Sequence, residues 1–190
     1  MRRFVKDVLL PVAVAVALAF VIQASVAKPY EIPTPSMAPT IEPGDRIIAN
    51  RLVYHFRDIE RGDIIVFDPP PSAVSQCNAG ESGGGDIPFV KRVIGLPGDK
   101  VKVSPVDGST IVNGKPFEID GPVLDPAAQP RTPWPVVPEG KLLVLGDNRA
   151  SSCDSHQWGE AGGDPFLPED NVIGQAEITY WPLSHVGFLN

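Results

Sequence analysis

Residues 8–27 carry no charge and are mostly Val, Ala and Leu. An apolar stretch of that length spans a hydrocarbon core as one helix. Pro11 is tolerable in its first turn or as a mild kink, and Gln23 falls near the outer interface. A rival reading is a cleavable leader, because Ser25-Val26-Ala27 places small residues at a cleavage position and the most apolar part, 8–22, is only 15 residues long. Beyond this segment, proline and glycine divide the chain into short runs rich in Val and Ile: 46–52, 63–67, 89–96, 100–103, 110–112, 141–145 and 172–181. None sustains a helical period, so a mainly β domain is predicted over 28–190. Pro-Gly-Asp at 43–45 and 97–99, Asn113-Gly114 and Asp147-Asn148 supply turns between the runs. Stretches 69–88 and 120–139, rich in proline or glycine, are predicted loops, and 159–170 is a third irregular stretch.

Composition narrows the classes of function. The 190 residues, less a spanning segment, suffice for one compact domain with a core. The 16 basic and 23 acidic residues give a net charge of −7 with no basic stripe, which argues against nucleic acid as a partner. Arg2, Arg3 and Lys6 precede the apolar segment and Lys28 follows it. The positive-inside rule then keeps residues 1–7 in the cytoplasm and sends 28–190 to the outer face. Cys77 and Cys153 would lie outside the reducing cytosol, either bonded to each other or as two buried thiols; sequence does not supply the distance that decides. Cys153, Asp154 and His156 lack a fourth ligand at a recognisable spacing, so a metal site is not favoured.

Two short segments carry candidate chemistry. Ser36 sits in Pro33-Thr34-Pro35-Ser36-Met37-Ala38-Pro39-Thr40, where the prolines predict a stiff, extended segment that presents the hydroxyl. A serine hydroxyl needs a base to become a nucleophile. Lys91 lies in the run Phe89-Val90-Lys91-Arg92-Val93-Ile94. In an extended strand it shares one face with Phe89 and Val93, and Arg92 shares the other with Val90 and Ile94. Both faces are otherwise apolar, so alternation does not say which is buried. Arginine does not deprotonate in a protein, which leaves Lys91 as the workable base, provided burial lowers its proton affinity.

The Ser-Met-x-Pro-Thr string at 36–40, the segment Lys91-Arg92-Val93-Ile94-Gly95-Leu96-Pro97-Gly98-Asp99 and the segment Gly146-Asp147-Asn148-Arg149-Ala150-Ser151-Ser152-Cys153-Asp154-Ser155 together resemble the motifs of the type I signal peptidases. These are membrane-anchored Ser-Lys proteases that remove secretory signal peptides. The likeness implies a coiled, partly open antiparallel β-barrel behind one transmembrane helix, and it favours a retained anchor over a leader. Between 99 and 146 there is room for a hairpin and a loop only, as in compact members of the family.

The resemblance also implies roles. Ser36 is the nucleophile, Lys91 the base in both steps, and Ser152 the hydroxyl that orients the lysine. The oxyanion is received by the Ser36 N–H and the Thr34 hydroxyl; Pro35 has no N–H to offer. An extended signal peptide pairs with the segment 30–34, so Tyr30, Ile32 and Pro33 border the groove and Ile32 walls shallow pockets for small residues. Met37 is a groove or lipid-facing residue on this likeness, and a core residue otherwise. Asp147, Arg149 and Asp154 hold the loop. His156 stands where the family often has arginine, which opens the loop to pH sensitivity. The implied enzyme sits in a bacterial plasma membrane, cuts secretory preproteins after Ala-x-Ala-like sequences near the export machinery, and needs no cofactor. Two rivals remain: a Ser-Lys protease of the self-cleaving repressor type, and an inactive relative that only binds signal peptides.

Overall fold

The computed structural model describes residues 10–14, 26–77, 87–104, 106–119, 121–124, 133–159 and 162–189. Residues 10–14 are helical and exposed; the remainder of the expected spanning segment up to residue 25 lies outside the described residues. Among the described residues no helix is long and apolar enough to cross a membrane.

The domain is mainly β and built on a curled antiparallel sheet. In chain order its strands are β1 (Ala27–Glu31), β2 (Arg46–Asn50), β3 (Ile64–Phe67), β4 (Phe89–Gly95), β8 (Lys141–Leu145), β9 (Leu167–Pro168), β10 (Val172–Trp181) and β11 (Gly187–Phe188). The small strands β5 (Val101–Val103), β6 (Thr110–Val112) and β7 (Lys115–Pro116) form a second sheet. The main sheet runs β1-β2-β10-β3-β4-β8-β9, and β11 pairs with β10. Register shifts in β10, between Ala176 and Ile178 and between Thr179 and Trp181, and in β4, between Val93 and Gly95, bend these strands. Such irregularities add local twist and let the sheet curl over its own core.

β1 has no apolar run of its own: Lys28, Pro29 and Glu31 interrupt it. It exists because β2 templates it, in register from Ala27 opposite Asn50 to Glu31 opposite Arg46. As an edge strand it tolerates a proline. The turns follow local chemistry. In both Pro-Gly-Asp turns the aspartate accepts the N–H three residues back, Glu42 to Asp45 and Leu96 to Asp99, each at 2.8 Å. Asn113 and Gly114 take φ of 52° and 82°, the left-handed pair that a two-residue hairpin between β6 and β7 requires.

Two stretches expected to be irregular carry structure, 69–88 and 159–170, the latter holding β9. Stretch 69–88 contains helix α1 (Pro71–Gln76), which begins on a proline whose fixed φ suits the first helical position. A second helix, α2 (Ser155–Trp158), follows the third motif and is capped by Asp154. Both are too short for a helical period to show in sequence. Cys77 and Cys153 form a disulfide with Cα atoms 5.8 Å apart, joining the end of α1 to the chain just before α2. Among the described residues three apolar clusters fill the interior. One, under β1, β2 and β3, contains Ile32, Met37, Ile41, Ile47 and Ile64. A second lies between β3, β4, β8 and the helices, around Phe67 and Trp158. The third, around Leu143 and Val101, joins the small sheet to the main one. β4 is therefore covered on both faces, and Lys91 and Arg92 are both buried.

Candidate active site

Ser36 occupies one 3-10 turn, Pro35–Met37, between Thr34 and Ala38, which are extended. A tight turn with extended flanks replaces the expected extended segment, because Pro35 presets the first turn position. Ser36 is buried, and across from it β4 delivers Lys91. The Lys91 Nζ lies 2.9 Å from the Ser36 Oγ and donates to the Val90 carbonyl at 2.8 Å. The Thr34 hydroxyl donates to the same Ser36 Oγ at 3.3 Å.

Burial decides the protonation of the lysine. Stripped of water, Lys91 is lowered to about 8; Asp154 and then Asp147 pull the other way but do not overcome the loss of hydration. Once neutral, the amine has a lone pair to accept a proton, and the Ser36 hydroxyl is within its reach. The pair therefore has the geometry of a nucleophile and its general base.

The neighbouring residue serves the opposite face of β4. Arg92 donates through Nε and Nη2 to both oxygens of Asp147, at 2.9 and 2.8 Å, and through Nη1 to the Gly62 carbonyl at 2.9 Å. The Thr40 hydroxyl donates to Asp147 at 2.6 Å. Asn148 N–H donates to the Ser36 carbonyl at 3.1 Å. The third motif is thereby tied to both the nucleophile segment and the lysine strand. A family model described as signal peptidase, peptidase S26, matches residues 5–181.

The chain belongs to this family. It is 41% identical over 180 residues to a signal peptidase I of Leptolyngbya laminosa, covering 94% of this chain and 80% of that one. It is 40% identical over 188 residues to a probable signal peptidase I-1 of a Synechocystis strain, covering 98% and 88%. A crystal structure of a signal peptidase I from Enterococcus faecalis is similar at 28% identity with a TM-score of 0.44, over 63% of this chain and 97% of the other.

In this S26 peptidase the loop after β8 is built around Gly146 and Asp154. Asp154 is fully enclosed and accepts from the Gly146 N–H at 2.8 Å and the Ser152 hydroxyl at 2.5 Å. The Ser152 hydroxyl thus points to Asp154, whereas the hydrogen bonds of Lys91 go to Ser36 and Val90; the expected Ser152–Lys91 bond is not the one formed. Ser152 nevertheless borders the site. A Cβ placed on Gly146 would lie 2.2 Å from the Ser152 Oγ and 2.4 Å from the Ser36 carbonyl oxygen, so this backbone passes between the two serines. Arg149 is buried as well, donating to the Gly146 carbonyl at 3.0 Å and the Thr110 hydroxyl at 3.3 Å.

The groove residues divide. Pro33 is exposed beside Thr34, and Tyr30 is partly buried on β1. Ile32 and Met37 are enclosed in the cluster beneath β1. Met37 has no exposed surface, which corrects the lipid-facing expectation: the turn at Pro35–Met37 rotates its side chain inward. With Cys153 in a disulfide, its thiol is not available to a metal. Sequence reading gave no role to Thr40, Asn148 or Gly146; the first closes the Ser-Met-x-Pro-Thr string and the others flank Asp147, which was the available signal.

Proposed function

We propose that this chain removes N-terminal signal peptides from exported preproteins after Ala-x-Ala-like sites, by a Ser-Lys acyl-enzyme mechanism. The observation that carries this reading is the 2.9 Å approach of Lys91 Nζ to Ser36 Oγ in a buried site where desolvation lowers the proton affinity of the amine. The Ser36 Oγ attacks the carbonyl carbon before the scissile bond while its proton passes to the Lys91 Nζ. The Ser36 N–H and the Thr34 hydroxyl receive the oxyanion. Collapse of the tetrahedral adduct expels the new N-terminus, which takes the proton from Lys91. Lys91 then draws a proton from the water that attacks the ester and returns it to the departing Ser36 Oγ as the acyl–oxygen bond breaks, and Ser152 with Asp154 keeps the lysine side of the site in place.

An extended substrate has backbone to pair with. β1 is an edge of the main sheet, and among the described residues no strand pairs with its side away from β2. β8 pairs with β4 from Arg92 onward, leaving Phe89–Lys91 beyond that ladder, next to the dyad. Main-chain pairing along such edges, with Tyr30 and Pro33 bordering the groove and Ile32 packed beneath it, suits an extended peptide with small side chains. The apolar segment 8–27 with its flanking basic residues supports a single membrane anchor, N-terminus cytoplasmic, with 28–190 on the outer face beside the export machinery.

The test is mass-spectrometric mapping of products when the full chain in detergent meets a preprotein with an Ala-x-Ala site. A single cut after the final alanine by wild type, absent in Ser36→Ala, Lys91→Ala and Lys91→Arg, is the expected result. Cleavage surviving the lysine substitutions sinks the Ser-Lys mechanism, and binding without turnover by wild type means a signal-peptide-binding module.

A further inference from the structure

His156 reaches the dyad through one buried carboxylate. The two oxygens of Asp154 face different partners. Oδ2 takes the Gly146 N–H and the Ser152 hydroxyl, on the side of Ser36 and Lys91. Oδ1 takes the His156 N–H at 3.2 Å and lies 2.5 Å from the His156 Nδ1. The imidazole is itself 9% exposed, so this contact is shielded from bulk water.

We propose that His156 is a positioning residue for the Ser36–Lys91 dyad: it fixes the Asp154 carboxylate and draws its charge away from the lysine amine. The proposal rests on the Ser-Lys reading above. Of the two carboxylates that favour a protonated Lys91, Asp154 acts more strongly, and Asp147 is already engaged by Arg92 and Thr40. A donor or a positive charge on Oδ1 weakens the pull that Asp154 exerts on Lys91. Loss of that partner strengthens it and keeps the base protonated, hence idle, to higher pH.

Among the described residues, few other ionisable groups bear on the pair. Helix α2 itself has only His156, and α1, packed against it, has none. β8, also packed against α2, contributes Lys141, which pairs with Asp164. Arg149, buried in the preceding turn, feels the charge of Asp154 and Asp147.

The experiment measures kcat/KM against pH for the full chain in detergent with an Ala-x-Ala preprotein peptide, in wild type, His156→Arg, His156→Gln and His156→Ala. Thermal midpoints report folding. The acid limb is expected to sit highest in pH for Gln and Ala, lower in wild type and no higher in Arg; each unit of displacement means about tenfold in rate on the limb. Coincident limbs in all four, with differences only in midpoint or maximal rate, overturn the proposal. Should the Ala variant not fold, Arg against Gln decides. Lys91→Ala, run alongside, separates this from the parent reading: if it cleaves like wild type, the Ser-Lys mechanism has failed rather than the role of His156.

Discussion

Arg92 and Asp147 form a doubly hydrogen-bonded ion pair with both side chains enclosed, one residue along β4 from Lys91. Removing one partner strands the other charge in the interior, which costs about 3–5 kcal/mol. Asp147→Ala should therefore lower the urea midpoint strongly and abolish cleavage, since Thr40 and the loop lose their common anchor. Replacing both, as Arg92→Met with Asp147→Leu, should recover much of the stability, because a well-packed apolar pair replaces buried charge at little net cost. Equal destabilisation of the single and double variants would contradict this account.

Gly146→Ala tests how tightly the site is closed. The added methyl would meet the Ser152 Oγ and the Ser36 carbonyl at separations that no real Cβ shows. The expected outcome is at least a hundredfold loss of kcat/KM, in line with what a displacement of about 1 Å costs a reacting pair, with a thermal midpoint that falls less than for Asp147→Ala. Retained activity would mean that the segment carrying Ser36 shifts freely.

Lys91 links activity and stability to pH. Its proton is lost at about 8 in the fold and at about 10.4 in an unfolded chain. Between those values the unfolded state binds the extra proton, so stability rises with pH across that window, by something of order 3 kcal/mol. Below about 8 the cost of burying the charged amine is fully present. The acid limb of kcat/KM should fall near pH 8. Lys91→Met should be inactive, should lose the rise between pH 8 and 10, and should be more stable than wild type at pH 7. Urea titrations at several pH values would check all three.

The disulfide closes a loop with a sequence separation of 76 and clamps the chain between Ser152 and Asp154. Cys77→Ser with Cys153→Ser should cost about 4 kcal/mol through the freed unfolded chain. It should also lower kcat more than it raises KM, since Ser152 and Asp154 sit on either side of Cys153. An unchanged kcat would show that Asp154 and α2 hold the loop unaided.

The sequence alone determined the local features. Valine- and isoleucine-rich runs became β2, β3, β4, β8 and β10, and Pro-Gly-Asp and Asn-Gly became turns, because strand and turn propensity depend on near neighbours. Three motifs far apart in the chain pointed to Ser36, Lys91 and the loop around Ser152, and the chemistry of arginine singled out Lys91 over Arg92. Only the tertiary structure decided what depends on neighbours distant in sequence. β1 exists because β2 templates it. Met37 faces the core, Cys77 meets Cys153, and the Ser152 hydroxyl turns to Asp154. The depressed proton affinity of Lys91 belongs to this second group as well, since desolvation comes from the whole enclosure around an amine and not from the residues beside it in the chain.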